Sequence, residues 1–450
     1  MMEVVREKVV VVGGGLAGSE AAWQAARLGV PVRLCEMRPG RQTLAHRTGE
    51  LAELVCSNSL KSLEISTPHG VLKREMEALG ALVLRTALAT RVPAGGALAV
   101  DREAFARAMT RAVSSHPLIE IVREEVPEIP AGGAVVIAAG PLPSDSLAAS
   151  IAAFAGGGSL YFFDAIAPIV DAETIDRSVA FPASRYGKGG GEDYLNCPMT
   201  KEEYERFLDE LLRGEKAPLH EADSTPFFEG CLPVEEMARR GRDTLRFGPM
   251  KPVGLRDPRT GRRPHAVVQL RQDDRAAEHY SMVGFQTQLR RPEQKRIFRT
   301  IPGLGAAEFV RLGQIHRNAY VNAPRVLRET LETRARQGLF FAGQISGVEG
   351  YTESAATGLL AGINAARRLL GLDPVAPPPD TMVGALCRYV SAAAPEGYQP
   401  ANVSFGLLPE APETARRKKD RREARGGRAI RSMEAWVAAL PLPAAEGAAP

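Results

Sequence analysis

Apolar positions fall into two textures along this chain. Near its start, "VVVV" (residues 9–12) is a continuous β-branched run, the pattern of a parallel strand buried on both faces. Three glycines break it. From there the small apolar residues Ala17, Ala21, Ala22, Ala25 and Leu28 recur at helical spacing. Gly29 ends that helix and "VPVRLCE" begins a second strand, which completes one strand–helix–strand unit. "AVVIAAG" (134–140) is a further predicted buried strand. The same texture returns over 338–371 as a strand, a glycine-rich turn and a long alanine-rich helix. From about residue 181 to 325 helical periods thin out, and strand-like pieces such as "HAVVQLRQ" and "SMVGFQTQL" alternate with Gly/Pro-rich turns. The pattern divides the chain into 1–180, an insertion at 181–325, a return at 326–410 and a tail at 411–450. The expected class is α/β, one domain interrupted by a smaller mixed α/β or mostly antiparallel insertion.

Composition changes this picture little. With 450 residues, 44% apolar and 24% charged, a globular protein of two domains is expected. A formal charge of +4 neither requires nor excludes a polyanionic partner, so the distribution of charge matters more. Residues 416–431, "RRKKDRREARGGRAIR", hold nine Lys/Arg against Asp420 and Glu423. A solvated helix face and a phosphate-contacting face are both open for them. The five cysteines (35, 56, 197, 231 and 387) form no C-x-x-C pair and no zinc-spaced cluster. Free thiols in a reducing, cytoplasmic compartment are expected, with no metal site, no signal peptide and no membrane span.

Gly13-Gly14-Gly15-Leu16-Ala17-Gly18 fits G-x-G-x-x-G between a strand and a helix, and Glu36 lies 18 residues beyond Gly18. Glycines there let the backbone approach a pyrophosphate at the helix N-terminus, and Glu36 would accept a hydrogen bond from a ribose hydroxyl. A second glycine-rich element, "FFAGQISGVEGYTESAATG", sets Gly343, Gln344, Glu353 and Ser354 after a strand, and Gly140 closes another. A site assembled from both chain ends around an insertion suits a long FAD better than NAD. The expected architecture is therefore a Rossmann-like, glutathione-reductase-type FAD-binding domain.

Two cysteines stand out. Cys231, in "CLPVEEMARRG", precedes a proline suited to the first position of a helix, where the dipole favours thiolate; a small apolar cap residue is the alternative. Cys56 follows an apolar run into Ser57-Asn58-Ser59 near Lys61, and as a lone cysteine it reads as core. Cys35 sits inside an apparent buried strand. His316-Arg317-Asn318 groups a titratable ring, a cation and an amide where the chain re-enters the first domain, and Lys251 lies in a rigid Pro/Gly loop.

Taken together, "VVGGGLAGSEAAW", "ELVCSNSLKS", "YLNCPMT", "CLPVEEMARRG", "FGPMKPVGL", "VVQLRQDD", "VGFQTQL", "HRNAYVNAP" and "AGQISGVEGYTESAATGLLAGINAA" resemble the bacterial folate- and FAD-dependent tRNA (uracil-5-)-methyltransferases, the TrmFO family. The resemblance runs from about residue 8 to about 405 in the family's order. It implies formation of 5-methyluridine in the T-loop of tRNA, with methylenetetrahydrofolate as carbon donor and NAD(P)H reducing the flavin. It also implies that Cys56 and Cys231 are the two functional cysteines, and that Gly13 to Gly18 with Glu36 form the cofactor fingerprint. Thiolate addition to carbon 6 would make carbon 5 enolate-like, and a base would later remove the carbon-5 proton. Cys231 is taken as nucleophile and Cys56 as the proton-abstracting partner or a shield of the flavin adduct, with the reverse assignment open. The expected partners are the tRNA elbow, the folate and the pyridine nucleotide; a monomer is expected. A GidA-type wobble-uridine enzyme and a flavin-dependent thiol oxidoreductase are the alternatives, the second lacking a close cysteine pair.

Overall fold

The computed structural model describes residues 7–43, 45–157, 160–218, 227, 232–410 and 417–440. The apolar runs form one five-stranded parallel sheet, in the order Leu339–Phe341, Val135–Ile137, Val9–Val12, Val32–Cys35, Ile119–Val122. The strand nearest the start of the sequence therefore lies at the centre, and the last to be made lies at one edge. Val9, Val11 and Val136 are fully buried, as a sheet covered on both faces requires.

Why the helices are rich in alanine and glycine becomes clear in their packing. Leu16–Arg27 lies against Tyr351–Leu369. A methyl group added at Gly358 would fall 2.2 Å from the Ala17 carbonyl oxygen, and one at Gly362 would fall 2.3 Å from that of Ala21. The four-residue repeat on both helices is a backbone-to-backbone contact between segments more than three hundred residues apart in the sequence.

The intervening region has its own core, built on a six-stranded antiparallel sheet in the order Phe181–Pro182, Tyr194–Met199, Ala266–Gln272, His279–Met282, Ile169–Asp171, Phe309–Arg311. Its strands begin at Ile169. The amphipathic helix Lys201–Arg213, opened by a Thr200/Glu203 capping box, covers the sheet with Tyr204, Phe207, Leu208 and Leu211. A two-stranded ribbon, Leu160–Ile166 with Gln314–Tyr320, carries the chain in and out.

The basic tail forms the helix Lys418–Ala439, which docks on Pro68–Ala78. Gly426, Ala429 and Met433 are its buried side, while Lys418, Lys419, Arg421 and Arg422 stay exposed. Among the described residues no helix is long and apolar enough to cross a membrane.

Candidate active site

The central strand ends at Gly13, whose φ of +101° lies in the region that favours glycine. A Cβ there would sit 2.5 Å from the Ala138 carbonyl oxygen. Gly15 is the N-cap of the following helix, with no side chain capping it, and a Cβ added there meets nothing within 4 Å. Free helix N–H groups thus face an open cleft, the seat an anionic pyrophosphate needs. Gly13, Gly15, Leu16, Ala17, Glu36, Gly140, Gly343, Gln344 and Ser354 all line this cleft. The donor set, drawn from both ends of the chain, fits a dinucleotide such as FAD. Gly14 and Gly18 shape the turn from behind.

Glu36 ends the second strand with its carboxylate 22 residues from Gly14, whose N–H it accepts at 2.8 Å. It also accepts from Arg38 N and Nε, each at 2.9 Å, and from Arg38 Nη2 at 3.2 Å. Burial alone would raise this carboxyl; the bonds and charge of Arg38 outweigh it and hold it below the usual carboxylate range. Arg38, 2% exposed, is a site residue that sequence reasoning missed. Its signal was the i, i+2 spacing that puts it on the same side of an extended segment as Glu36. Any ribose hydroxyl reaching Glu36 must share oxygens that already hold four donors.

Glu353 is not brought into the cleft. It is fully buried, accepts from Val403 N at 3.1 Å and Thr352 Oγ1 at 2.9 Å, and stands 3.3 Å from His69 Nδ1. The physical reason is its direction: one residue before Ser354 on the helix, it points into the body of the protein rather than toward the cofactor.

A second chamber shares Val55, Pro141, Leu142, Gln344, Tyr351 and Ser354 with the first cleft, and Cys56 lines it. The Cys56 N–H donates to Tyr351 Oη at 2.8 Å, and that of Ser57 donates to the same oxygen at 3.1 Å. Arg102 binds the Leu54 and Cys56 carbonyls at 2.7 and 3.1 Å and Asp273 at 2.8 Å. Arg271 donates to Ser57 Oγ and Asn58 Oδ1, both at 2.7 Å. The polar residues after Cys56 are thus clasped by the insertion sheet, which fixes the thiol at the seam between the two cores. Burial pushes the Cys56 thiol well up; Asp164 and Glu349 add to this, and Arg102 and Arg311 oppose it. The carboxyl of Glu349, also in the chamber, is pushed well up by burial and by the Asp164 and Glu353 charges.

Cys231 lies outside the described residues. The helix after it spans Val234–Arg239, with Pro233 at the cap rather than inside the first turn. The backbone of His316 and Arg317 lies in the strand Gln314–Tyr320, their side chains are outside the described set, and Asn318 lines the chamber. Lys251 is exposed, away from the chamber. Cys197 and Cys387 are buried, and burial pushes each thiol up to about 12.

The family model described as "Glucose inhibited division protein A" matches residues 8–373. A solved structure of Aquifex aeolicus GidA superposes with a TM-score of 0.71 at 20% identity, covering 99% of this chain and 75% of that one, a likeness of fold. A protein of Symbiobacterium thermophilum is 60% identical over 95% of this chain and 97% of its own length. One of Geobacter sulfurreducens is 56% identical over 96% and 99%. Both are named methylenetetrahydrofolate–tRNA-(uracil-5-)-methyltransferase TrmFO, and this chain belongs to that family.

Proposed function

We propose that this chain forms 5-methyluridine in the T-loop of tRNA, taking the one-carbon unit from methylenetetrahydrofolate, with FAD as prosthetic group and NAD(P)H as reductant. The observation that carries the reading is Cys56 in a chamber that shares six lining residues with the cleft of the glycine fingerprint. When bound, FAD supplies the redox chemistry, passing an electron pair from NAD(P)H toward the one-carbon unit. Gly13, Gly15 and the uncapped helix behind them would hold its pyrophosphate, and the Glu36–Arg38 pair would meet its ribose.

Carbon 5 of uracil is a weak nucleophile until a thiolate adds at carbon 6. We assign that addition to Cys231. Burial raises the Cys56 thiol, which makes its thiolate scarce but a stronger base, and this suits Cys56 to the proton chemistry instead. To take the carbon-5 proton Cys56 must first lose its own, a step that Arg102 and Arg311 favour. The target uridine must leave its stack to enter the chamber.

The test is to incubate FAD-loaded protein with unmodified tRNA transcript, NADH or NADPH, and labelled methylenetetrahydrofolate, then to digest the RNA and look for labelled 5-methyluridine. Absence of label in RNA sinks the reading. Cys56→Ala is expected to slow methylation by about a hundredfold or more, the scale of a lost acid–base group. If Cys56→Ala and Cys231→Ala both keep full activity, the covalent scheme fails even though the product forms. The family-model match keeps a GidA-type wobble-uridine activity as the second reading, and a modified wobble uridine in the same digest would decide for it.

A further inference from the structure

The strand Ala266–Gln272 carries Gln269 and Arg271 on one face, about 7 Å apart, and Arg271 lines the chamber. Arg271 reaches back to Ser57, next to Cys56. Gln269 Oε1 accepts from Arg185 Nε at 2.8 Å, and the next residue along is Tyr186. Tyr186 has φ 58° and ψ 25°, a left-handed conformation that bulky residues rarely adopt, and it is 68% exposed. Its ring rests on the backbone of Gly254, where an added Cβ would meet three ring carbons at 3.0–3.1 Å. Its N–H donates to the Gly254 carbonyl at 3.2 Å. The fold thus fixes an uncomfortable backbone in order to present an aromatic face to solvent. Nothing in the packing of either core uses that ring, and strain kept under those conditions points to function.

The loop beneath it, residues 251–263, holds Lys251, Arg256, Arg259, Arg262 and Arg263 against the single carboxylate Asp257. Arg259 takes that carboxylate at 2.8 and 3.0 Å. Among the described residues no carboxylate pairs with the other four cations, all of them exposed. Arg256 and Arg263 flank a shallow concavity with Ser184 and Gly254. On the opposite side of Tyr186, Lys188 pairs with Glu64 at 2.6 Å, and Lys419 of the basic C-terminal helix lies near enough to act on the same carboxylate.

We propose that this face is where tRNA docks outside the chamber, with an unpaired base stacked on Tyr186 and the adjoining phosphates seated at Arg256 and Arg263. The inference rests on tRNA being the substrate. Unpaired exposed cations are what a phosphate backbone seeks, and an exposed aromatic beside them is what a base stacks on. Gln269 and Arg271 tie the loop that bears Tyr186 to Ser57, the residue next to Cys56.

The test is fluorescence anisotropy of labelled, unmodified tRNA transcript with the full-length, FAD-loaded protein across a salt series. Tyr186→Ala is expected to weaken Kd by about tenfold or more, the effect of losing one base–aromatic stack, and Tyr186→Phe by less than about twofold. Arg256→Gln with Arg263→Gln is expected to flatten the slope of log Kd against log salt by roughly one to two. Tyr186→Gly guards against misfolding, because glycine favours this backbone: it should melt no lower than wild type and still lose tRNA affinity. Wild-type Kd in Tyr186→Ala and Tyr186→Gly, or equal losses in the alanine and phenylalanine variants, overturns the stacking site. An unchanged salt slope in the double arginine variant overturns the phosphate seat. Wild-type protein that neither binds nor methylates tRNA sinks the substrate reading itself, a result distinct from either of these.

Discussion

At the scale of single residues, the Glu36–Arg38 pair is the feature with the clearest consequence. Both side chains are nearly closed to solvent, and with Glu36 neutralised Arg38 keeps Glu53, at 3.2 Å, as its one charged partner. Glu36→Gln is expected to cost about 2–3 kcal/mol in folding free energy, below the full range for a stranded buried charge because Glu53 still faces Arg38, and to lower flavin occupancy. Urea melts and the flavin absorbance of purified protein would check this; a loss under about 1 kcal/mol would mean that the pair is solvated in solution. Residue identities were partly legible in the sequence. The glycine fingerprint and Glu36 declare themselves by spacing along one short segment. Arg38 and Arg271 did not, because their roles are set by what lies across from them. Arg271 meets Ser57 across 214 residues of chain. Glu353 is the complementary case: it stands beside Ser354 in sequence, yet it is Ser354 that lines the cleft, because sequence proximity says nothing about which side of the helix faces it.

At the scale of elements, helices here are positioned by close backbone contacts and by buried carboxylates acting as caps. Gly362→Val would force the two long helices apart against the Ala21 carbonyl, and a loss of at least about 2 kcal/mol is expected. A melt unchanged from wild type would show that the helices separate freely. Glu75, buried on Pro68–Ala78, accepts the Met382 and Val383 N–H groups at 2.7 and 2.9 Å, capping the helix Met382–Ala392. Burial pushes this carboxyl up to about 8, against the pull of those two bonds. The folded state therefore holds a proton that the unfolded chain releases near pH 4.5. Stability should fall as pH rises from about 5 to 8, and Glu75→Gln should flatten that slope. Equal slopes in both proteins would remove Glu75 from the account. Strand and helix types were readable from periodicity alone, because burial on both faces imposes a continuous apolar run. Which helix packs on which was not, since a small residue at helical spacing marks close approach without naming the partner.

At the scale of the whole molecule, exposed cations gather on the insertion loop and the C-terminal helix even though the net charge is only +4, so tRNA capture is expected to be electrostatic. The Michaelis constant for tRNA should rise steeply with salt, and a salt-insensitive constant would count against a phosphate-led encounter. The division into 1–180, 181–325, 326–410 and 411–450 is best tested by limited proteolysis, where cuts confined to those junctions would support it. The parallel sheet also has a temporal side. Gly343 follows Gly13 by 330 residues, so a ribosome working at 5–20 residues per second finishes the second half of the cofactor cleft on the order of tens of seconds after the first. Through that interval the strand Val135–Ile137 lacks its outer neighbour Leu339–Phe341, and the helix Leu16–Arg27 has no companion for its alanine face. The lining from Gly343, Gln344 and Ser354 is in place only once the edge strand and its helix arrive. A chain cut short before the helix Tyr351–Leu369 is complete is therefore left with an exposed apolar face on Leu16–Arg27 for quality control to find.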